Sequence, residues 1–333
     1  MIECTLCYME SGSRYLMLLR NKKDGDINRG KWIGVGGKLE PGETPEQCAL
    51  REIREETGLT VRDLTPRGVV TFLSDVWDGE VMYLYTARDF EGQLTECSEG
   101  ELHWIDKQDV FDLPLWDGDR VFLKKLLTDA PYFEMTLEYK GDRLHKCVTD
   151  GQETELIDVY HEDGSPAGYV ADRDFVHWRG LWHVTAHIWI VRYDSEGKPQ
   201  LLLQLRAKTK RLYPGCYDIS SAGHIGAGES MTVGALRELE EELGIPAQPD
   251  ALELVGIRQC FYDDDIGEGY HDKEYCHVFL YRGKIEDKSL RLQPSEVDGV
   301  MWMDFSDLLD GVRHDTFRHC IELPELEMIA PLL

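Results

Sequence analysis

Residues Gly37-Lys-Leu-Glu-Pro-Gly-Glu43-Thr-Pro-Glu-Gln-Cys-Ala-Leu-Arg51-Glu52-Ile53-Arg-Glu55-Glu56-Thr-Gly58-Leu59 read as a glycine-bearing loop running into a helix with its own start and stop signals. Thr44 is a natural N-cap, Pro45 suits the first helical position, and Gln47 stands where a capping box closes. Gly58 supplies the left-handed residue that ends the helix. Between these signals Glu52, Glu55 and Glu56 fall at i, i+3 and i+4, so three carboxylates share one face. Such crowding is unfavourable unless a cation relieves it. An all-oxygen, highly charged set suits a hard dication, Mg2+ or Mn2+, which keeps waters and takes phosphate oxygens as further ligands. Ala49, Leu50 and Ile53 form the apolar face, predicted to pack on a sheet.

The pattern returns as Gly223-His-Ile-Gly-Ala-Gly-Glu229-Ser-Met-Thr-Val-Gly-Ala-Leu-Arg237-Glu238-Leu239-Glu-Glu241-Glu242-Leu-Gly244-Ile245. The leading glycines are 186 residues apart, and Arg20 and Arg206 each precede theirs by 17, so the repeat extends beyond the helix. Both copies match G-x5-E-x7-R-E-U-x-E-E-x-G-U, with U bulky and aliphatic, at every specified position. The chain thus resembles two Nudix hydrolases in tandem. The resemblance implies an α/β class fold with a mixed sheet flanked by helices, an α/β/α sandwich, in each of two domains at 1–150 and 155–333. The polar segment Thr149–Glu155 is the expected connection.

By position the resemblance also assigns roles. The carbonyl of Gly37 joins Glu52, Glu55 and Glu56 around the metal, and Gly223 joins Glu238, Glu241 and Glu242. A further carboxylate commonly lies just before a tryptophan. Glu99 is chosen ahead of Trp104 with Glu101 as runner-up, and Glu296 is its counterpart ahead of Trp302. Glu52 or Glu99 serves as general base. Arg51 and Arg237 act as internal clamps on the carboxylates, while Glu43 and Glu229 support the loops.

The first half is similar to MutT-like enzymes that sanitise oxidised purine nucleotides, with 8-oxo-dGTP the leading substrate. Arg20, Lys22 and Lys23 form a basic cluster suited to phosphate. Trp116 is expected either to stack on the base, with Asp117 or Asp119 reading its edge, or to sit in the core of a capped helix. Ile33 occupies the place where mammalian-type oxidised-purine hydrolases carry a base-bonding Asn, which makes selectivity less secure than hydrolysis.

The second half is similar to isopentenyl-diphosphate isomerase, a Nudix-fold enzyme whose reactive Cys precedes a Gly-His pair. Here Ala222 precedes Gly223-His224 and Cys216 is too far upstream, while the intact carboxylate set suits hydrolysis. Isomerase chemistry is therefore the alternative, as is a copy that senses nucleotide or dimerises without turnover. His224 is expected as a phosphate or structural residue. His183 and His187 lie in a strand-like run where i, i+4 spacing does not converge, which argues against zinc. His271, Cys276 and His277 read as strand or loop packing.

A net charge of −27 over 333 residues argues against a nucleic-acid polymer or an anionic membrane surface as partner and is compatible with a small polyphosphate, such as a nucleotide, escorted by Mg2+. The sequence shows no signal peptide and no membrane-length apolar run. Nine scattered cysteines, Cys4 and Cys7 included, read as reduced thiols in a cytoplasm. A homodimer is left open.

Overall fold

The computed structural model describes residues 1–264 and 269–333. They form two compact units, Met1–Leu156 with Tyr169–Phe175, and Ile157–Gly168 with Val176–Leu333. The chain therefore returns to the first unit after leaving it.

In the first unit the strands are β1 (Ile2–Ser11), β2 (Arg14–Arg20), β3 (Trp32–Ile33), β4 (Thr60–Ser74), β5 (Glu80–Glu91), β6 (Gly100–Asp106), β7 (Phe133–Lys140), β8 (Arg143–Thr149) and β9 (Gln152–Glu153). Their order is β3-β2-β1-β5-β4-β7-β8-β9, with β6 on β2. The sheet is mixed, since β1 runs parallel to β5 and β4 parallel to β7. Because β9 pairs with β8, the segment expected as a free connection is partly sheet.

Helix α1 (Pro45–Thr57) starts at Thr44, whose Oγ1 accepts from Gln47 N–H while Gln47 Oε1 accepts from Thr44 N–H, and it ends at left-handed Gly58. Its Ala49 and Ile53 pack with Cys7, Met9 and Leu16 on one sheet face. The opposite face carries α2 (Asp117–Leu127), whose Phe122 meets the Tyr8 ring. Alternation along β1 produces this two-sided burial.

The remaining elements are β10 (Leu156–Tyr160), β11 (Pro166–Asp172), α3 (Arg173–Arg179), β12 (Trp182–Tyr193), β13 (Pro199–Arg206), β14 (Tyr217–Asp218), β15 (Ser221–His224), α4 (Met231–Leu243), β16 (Leu252–Asp264), β17 (Tyr270–Tyr281), β18 (Val297–Asp304), α5 (Phe305–His314) and α6 (Leu323–Ile329), all of the second unit except Leu156 and Tyr169–Phe175, so that both β11 and α3 are divided between the units. Central β12 is antiparallel to β10, β13 and β15 and parallel to β17, which carries β16. Ala186, Ile188 and Ile190 face α4. Trp189 and Val191 face Leu308 of α5 and Leu326 and Ile329 of α6. Each unit is a mixed sheet between helical layers.

Candidate active site

In the first unit Arg51 fixes the carboxylate face. Its Nε and one terminal nitrogen donate to the two oxygens of Glu43, both at 2.9 Å. Its other terminal nitrogen reaches Glu52 Oε1 at 2.6 Å and Glu55 Oε2 at 3.4 Å, and the guanidinium also donates to the Lys38 carbonyl at 3.1 Å. Hydrogen bonding to Arg51 holds Glu43 down at about 2. The second unit repeats the arrangement. Arg237 clasps both oxygens of Glu229 at 3.1 Å and donates to Glu238 at 2.7 Å, Glu241 at 3.0 Å and the His224 carbonyl at 2.8 Å.

Glu56 is the buried member of its set. Its Oε2 accepts from Gly36 N–H at 3.0 Å, and its Oε1 is buried with no hydrogen-bond partner. Burial first, then the negative charges of Glu52 and Glu99, pushes it up to about 8. Glu242 likewise accepts from Ala222 N–H at 3.2 Å and is raised to about 8 by burial and by Glu238. A buried oxygen lacking a donor, among carboxylates that disfavour one another's charge, fits a divalent cation.

The Gly37 carbonyl accepts from Thr5 N–H of β1 at 2.9 Å, which fixes it at the sheet edge beside the box and leaves its second lone pair for a cation. Gly37 also matters for space. A side chain there would run into the Glu52 carboxylate, as one at Gly223 would run into Glu238. Gly223 pairs with Ala186 in the corresponding register.

Glu99 faces the box, where its charge acts on Glu52 and Glu56. It pairs with buried Arg20, which also donates to Asp26 at 2.7 Å, and Lys23 lies 3.6 Å away. Arg20 is thus engaged by two carboxylates, a clamp rather than the open phosphate ligand its sequence context predicts, while Lys23 remains exposed. Glu101 turns away to Asn21 and His103. In the second unit Glu296 pairs with Lys210, and Arg206 with Asp218.

Beside the first box lies a cavity of about 890 Å3 lined by Arg20, Lys23, Glu52, Glu99, Trp116 and Asp119 among others, a size suited to a nucleotide. Trp116 donates to Asn28 Oδ1 at 2.8 Å and stands edge-on to Trp77 and Tyr139 with Lys31 over its ring. Asp119 is buried and pushed up to about 7, first by burial. Asp117 points elsewhere: its Oδ2 accepts from Leu144 N–H at 3.5 Å and Val170 N–H at 3.4 Å. That geometry separates the two aspartates in favour of Asp119. Ile33 lines the cavity too. Asn28, Trp77 and Tyr139 went unassigned in the sequence because they come from a loop, a turn and a distant strand.

The second unit carries a different side-chain cluster. Ligand atoms of His177, His183 and His224 lie within 4.8 Å of one another, as do those of His183, Asp272 and Glu274, and those of His187, Glu274 and Cys276. His183 and His187 do not converge with each other in a shared group, as their strand spacing predicts, while His183 lies beside residues of α3, β15 and β17 that the spacing does not reveal. His224 and Cys276 are likewise members of these groups rather than only packing. His187 Nδ1 lies 2.9 Å from Glu325 Oε2. Burial works against its charge, yet Glu325 and then Glu274 hold His187 up at about 9. Cys260 and Cys276 are bonded to each other, contrary to the expectation of thiols throughout, and the other seven cysteines are free.

The NUDIX domain signature matches residues 4–126 and 183–321. The chain belongs to the Nudix family. Over 177 residues, half of this chain, it is 37% identical to an uncharacterised Nudix hydrolase of Clostridium acetobutylicum and covers 81% of that protein. It is 36% identical over 145 residues to the oxidized purine nucleoside triphosphate hydrolase of Danio rerio, spanning 43% of this chain and 89% of the relative. It is 27% identical over 161 residues to the isopentenyl-diphosphate Delta-isomerase of Cutibacterium acnes, spanning 48% and 78%. Among solved structures the MutT protein of Bacillus halodurans shares 28% identity, covering 45% of this chain and 98% of its own, with a TM-score of 0.41. This Nudix chain is a hydrolase with two sets of the family's carboxylates. Among the described residues no helix is long and apolar enough to cross a membrane.

Proposed function

We propose that the first unit is a Mg2+- or Mn2+-dependent pyrophosphohydrolase for an oxidised purine nucleoside triphosphate such as 8-oxo-dGTP, and that the second hydrolyses a different diphosphate substrate. The observation that carries this is the cavity joining Glu52 and Glu99 to Trp116 and Asp119. Likeness to the Danio rerio purine triphosphate hydrolase supports it.

In this reading Glu52, Glu55 and Glu56 hold the cation, which lowers the pKa of water and offsets phosphate charge. Arg51 orients Glu52 and Glu55. Glu99 or Glu52 accepts the proton of the attacking water, and Lys23 faces the phosphates from the cavity rim. Water adds to a phosphorus as a P–O bond breaks, giving the nucleoside monophosphate and pyrophosphate. Trp116 stacks on the base. Asp119, titrating near neutrality, presents either a donor or an acceptor to its edge.

The test is product analysis with 8-oxo-dGTP and dGTP, with and without Mg2+, on wild type, Trp116→Ala and Asp119→Asn. The proposal expects metal-dependent release of pyrophosphate and a raised KM in both variants. Hydrolysis that leaves KM unchanged in both would place the base elsewhere.

A further inference from the structure

Cys276 Sγ lies 3.3 Å from Glu274 Oε2, and His187 Nε2 stands 3.9 Å from the same oxygen. The three ligand atoms fall within 4.8 Å of one another, with Cys276 and Glu274 buried. Sulfur, imidazole nitrogen and carboxylate oxygen together form the ligand set of a borderline-soft dication such as Zn2+, unlike the all-oxygen box.

The surroundings support that use. Glu325 Oε2 holds His187 Nδ1, and its other oxygen accepts from Trp189 Nε1 at 2.8 Å. A carboxylate behind one ring nitrogen fixes the orientation of the other and makes it a better ligand. Arg258 donates to Glu325 at 3.0 Å and fixes it in turn. Thr185 Oγ1 donates to Glu274 Oε2 at 3.3 Å. The first unit offers no such set at the corresponding positions, since matching register puts Leu6 and Met82 where the second has His187 and Cys276.

Cys276 is bonded to Cys260 across β16 and β17, and a sulfur in a disulfide has no thiolate to give. We propose that Cys276, His187 and Glu274 form a zinc-type cation site that opens only when the Cys260–Cys276 bond is reduced. A small dithiol supplies the two electrons and two protons that turn the disulfide into two thiols, and is itself left as a disulfide. The dication then displaces the thiol proton of Cys276 and the proton on His187 to solvent. This site is distinct from the box carboxylates and does not depend on either unit's substrate.

Cobalt reports on it directly, because a Co2+–thiolate bond gives a near-ultraviolet charge-transfer band. Full-length protein is titrated with Co2+ after dithiol treatment and removal of the dithiol under inert gas, and in parallel after oxidation. The reduced wild type is expected to show the band and the oxidised protein to lack it. Cys260→Ser, which cannot form the bond, is expected to show it under both conditions, and Cys276→Ser under neither. Glu325→Gln is expected to weaken Co2+ binding by about ten- to a hundredfold while leaving the band's position unchanged. Absence of the band in both reduced wild type and Cys260→Ser would overturn the site, as would its persistence in Cys276→Ser.

Discussion

The two units share one end of their machinery and differ at the other. Both clasp an early glutamate with an arginine, turn the same arginine onto two helical carboxylates, and bury a third that titrates near 8. The strand registers then match the neighbouring positions. Ile2 pairs with Glu80 as His183 pairs with Glu274, Cys4 pairs with Met82 as Thr185 pairs with Cys276, and Lys38 bridges Cys4 as His224 pairs with Thr185. One glutamate is kept, while Ile2 and Leu6 give way to His183 and His187, Cys4 to Thr185, and Met82 to Cys276. In the first unit these positions open onto the cavity that Trp77, Trp116 and Tyr139 also line. The second holds buried titratable groups that an apolar ligand surface would not need. The arginine-carboxylate end is repeated, and the residues beside it are different.

The largest effects should come from the repeated end. Gly37→Ala is expected to cut first-unit kcat by about a hundredfold, the scale of a lost catalytic carboxylate, because the new Cβ displaces Glu52. The obstacle is the far end of a side chain, so the unfolding midpoint should barely move. Gly223→Ala should do the same to the second activity alone. A large fall in Tm instead would make these glycines structural, which scanning calorimetry on both variants decides.

Arg51→Lys keeps the charge but loses the two-pronged hold on Glu43, and is expected to lower kcat by about tenfold or more with little change in KM. A change confined to KM would mean that Arg51 binds substrate. Arg237→Lys should behave alike.

A pH effect of intermediate size follows from Glu56 and Glu242. Each is raised from 4.5 to about 8, so in metal-free protein the stability they favour is full below about 4.5 and is lost as pH rises through about 8. A bound cation replaces the proton. The Tm increase given by Mg2+ should therefore be larger near pH 8 than near pH 6, and Glu56→Gln should remove the first unit's share. Equal increases at both pH values would refute the link between metal and buried carboxylate.

The smallest expected effect is at the helix starts. Thr44→Ala breaks a reciprocal capping box and is expected to cost about 1 kcal/mol. Ser230→Ala loses a single bond to Val233 N–H and should cost less. Urea unfolding gives both values.

The helices, their caps and the clamp carboxylates were legible because their signals lie within one helical repeat, from Glu43 to Gly58. The pairing of Arg20 was not legible because one of its partners, Glu99, lies in the bend before β6, far along the chain. The His177, His183 and His224 group was not legible at all. Its members sit on α3, β12 and β15, and only the β12–β15 register brings Thr185 opposite His224. Spacing along one strand shows which face a residue takes, but not which strand lies beside it. The hydrogen bond that fixes the Gly37 carbonyl was hidden for a related reason, since its donor on β1 depends on the pairing of distant segments.

The most direct test of two like hydrolytic ends serving unlike substrates is a product-resolved panel of ordinary, oxidised and sugar-linked nucleotides with Mg2+, run on wild type, Glu56→Gln, Glu242→Gln and the double variant. The account predicts that Glu56→Gln removes hydrolysis of the oxidised purine triphosphate and leaves any second-unit substrate intact, that Glu242→Gln does the reverse, and that the double variant is inactive. Loss of the same substrate in both single variants would contradict separate specificities, and turnover by the double variant would contradict the carboxylate assignment itself.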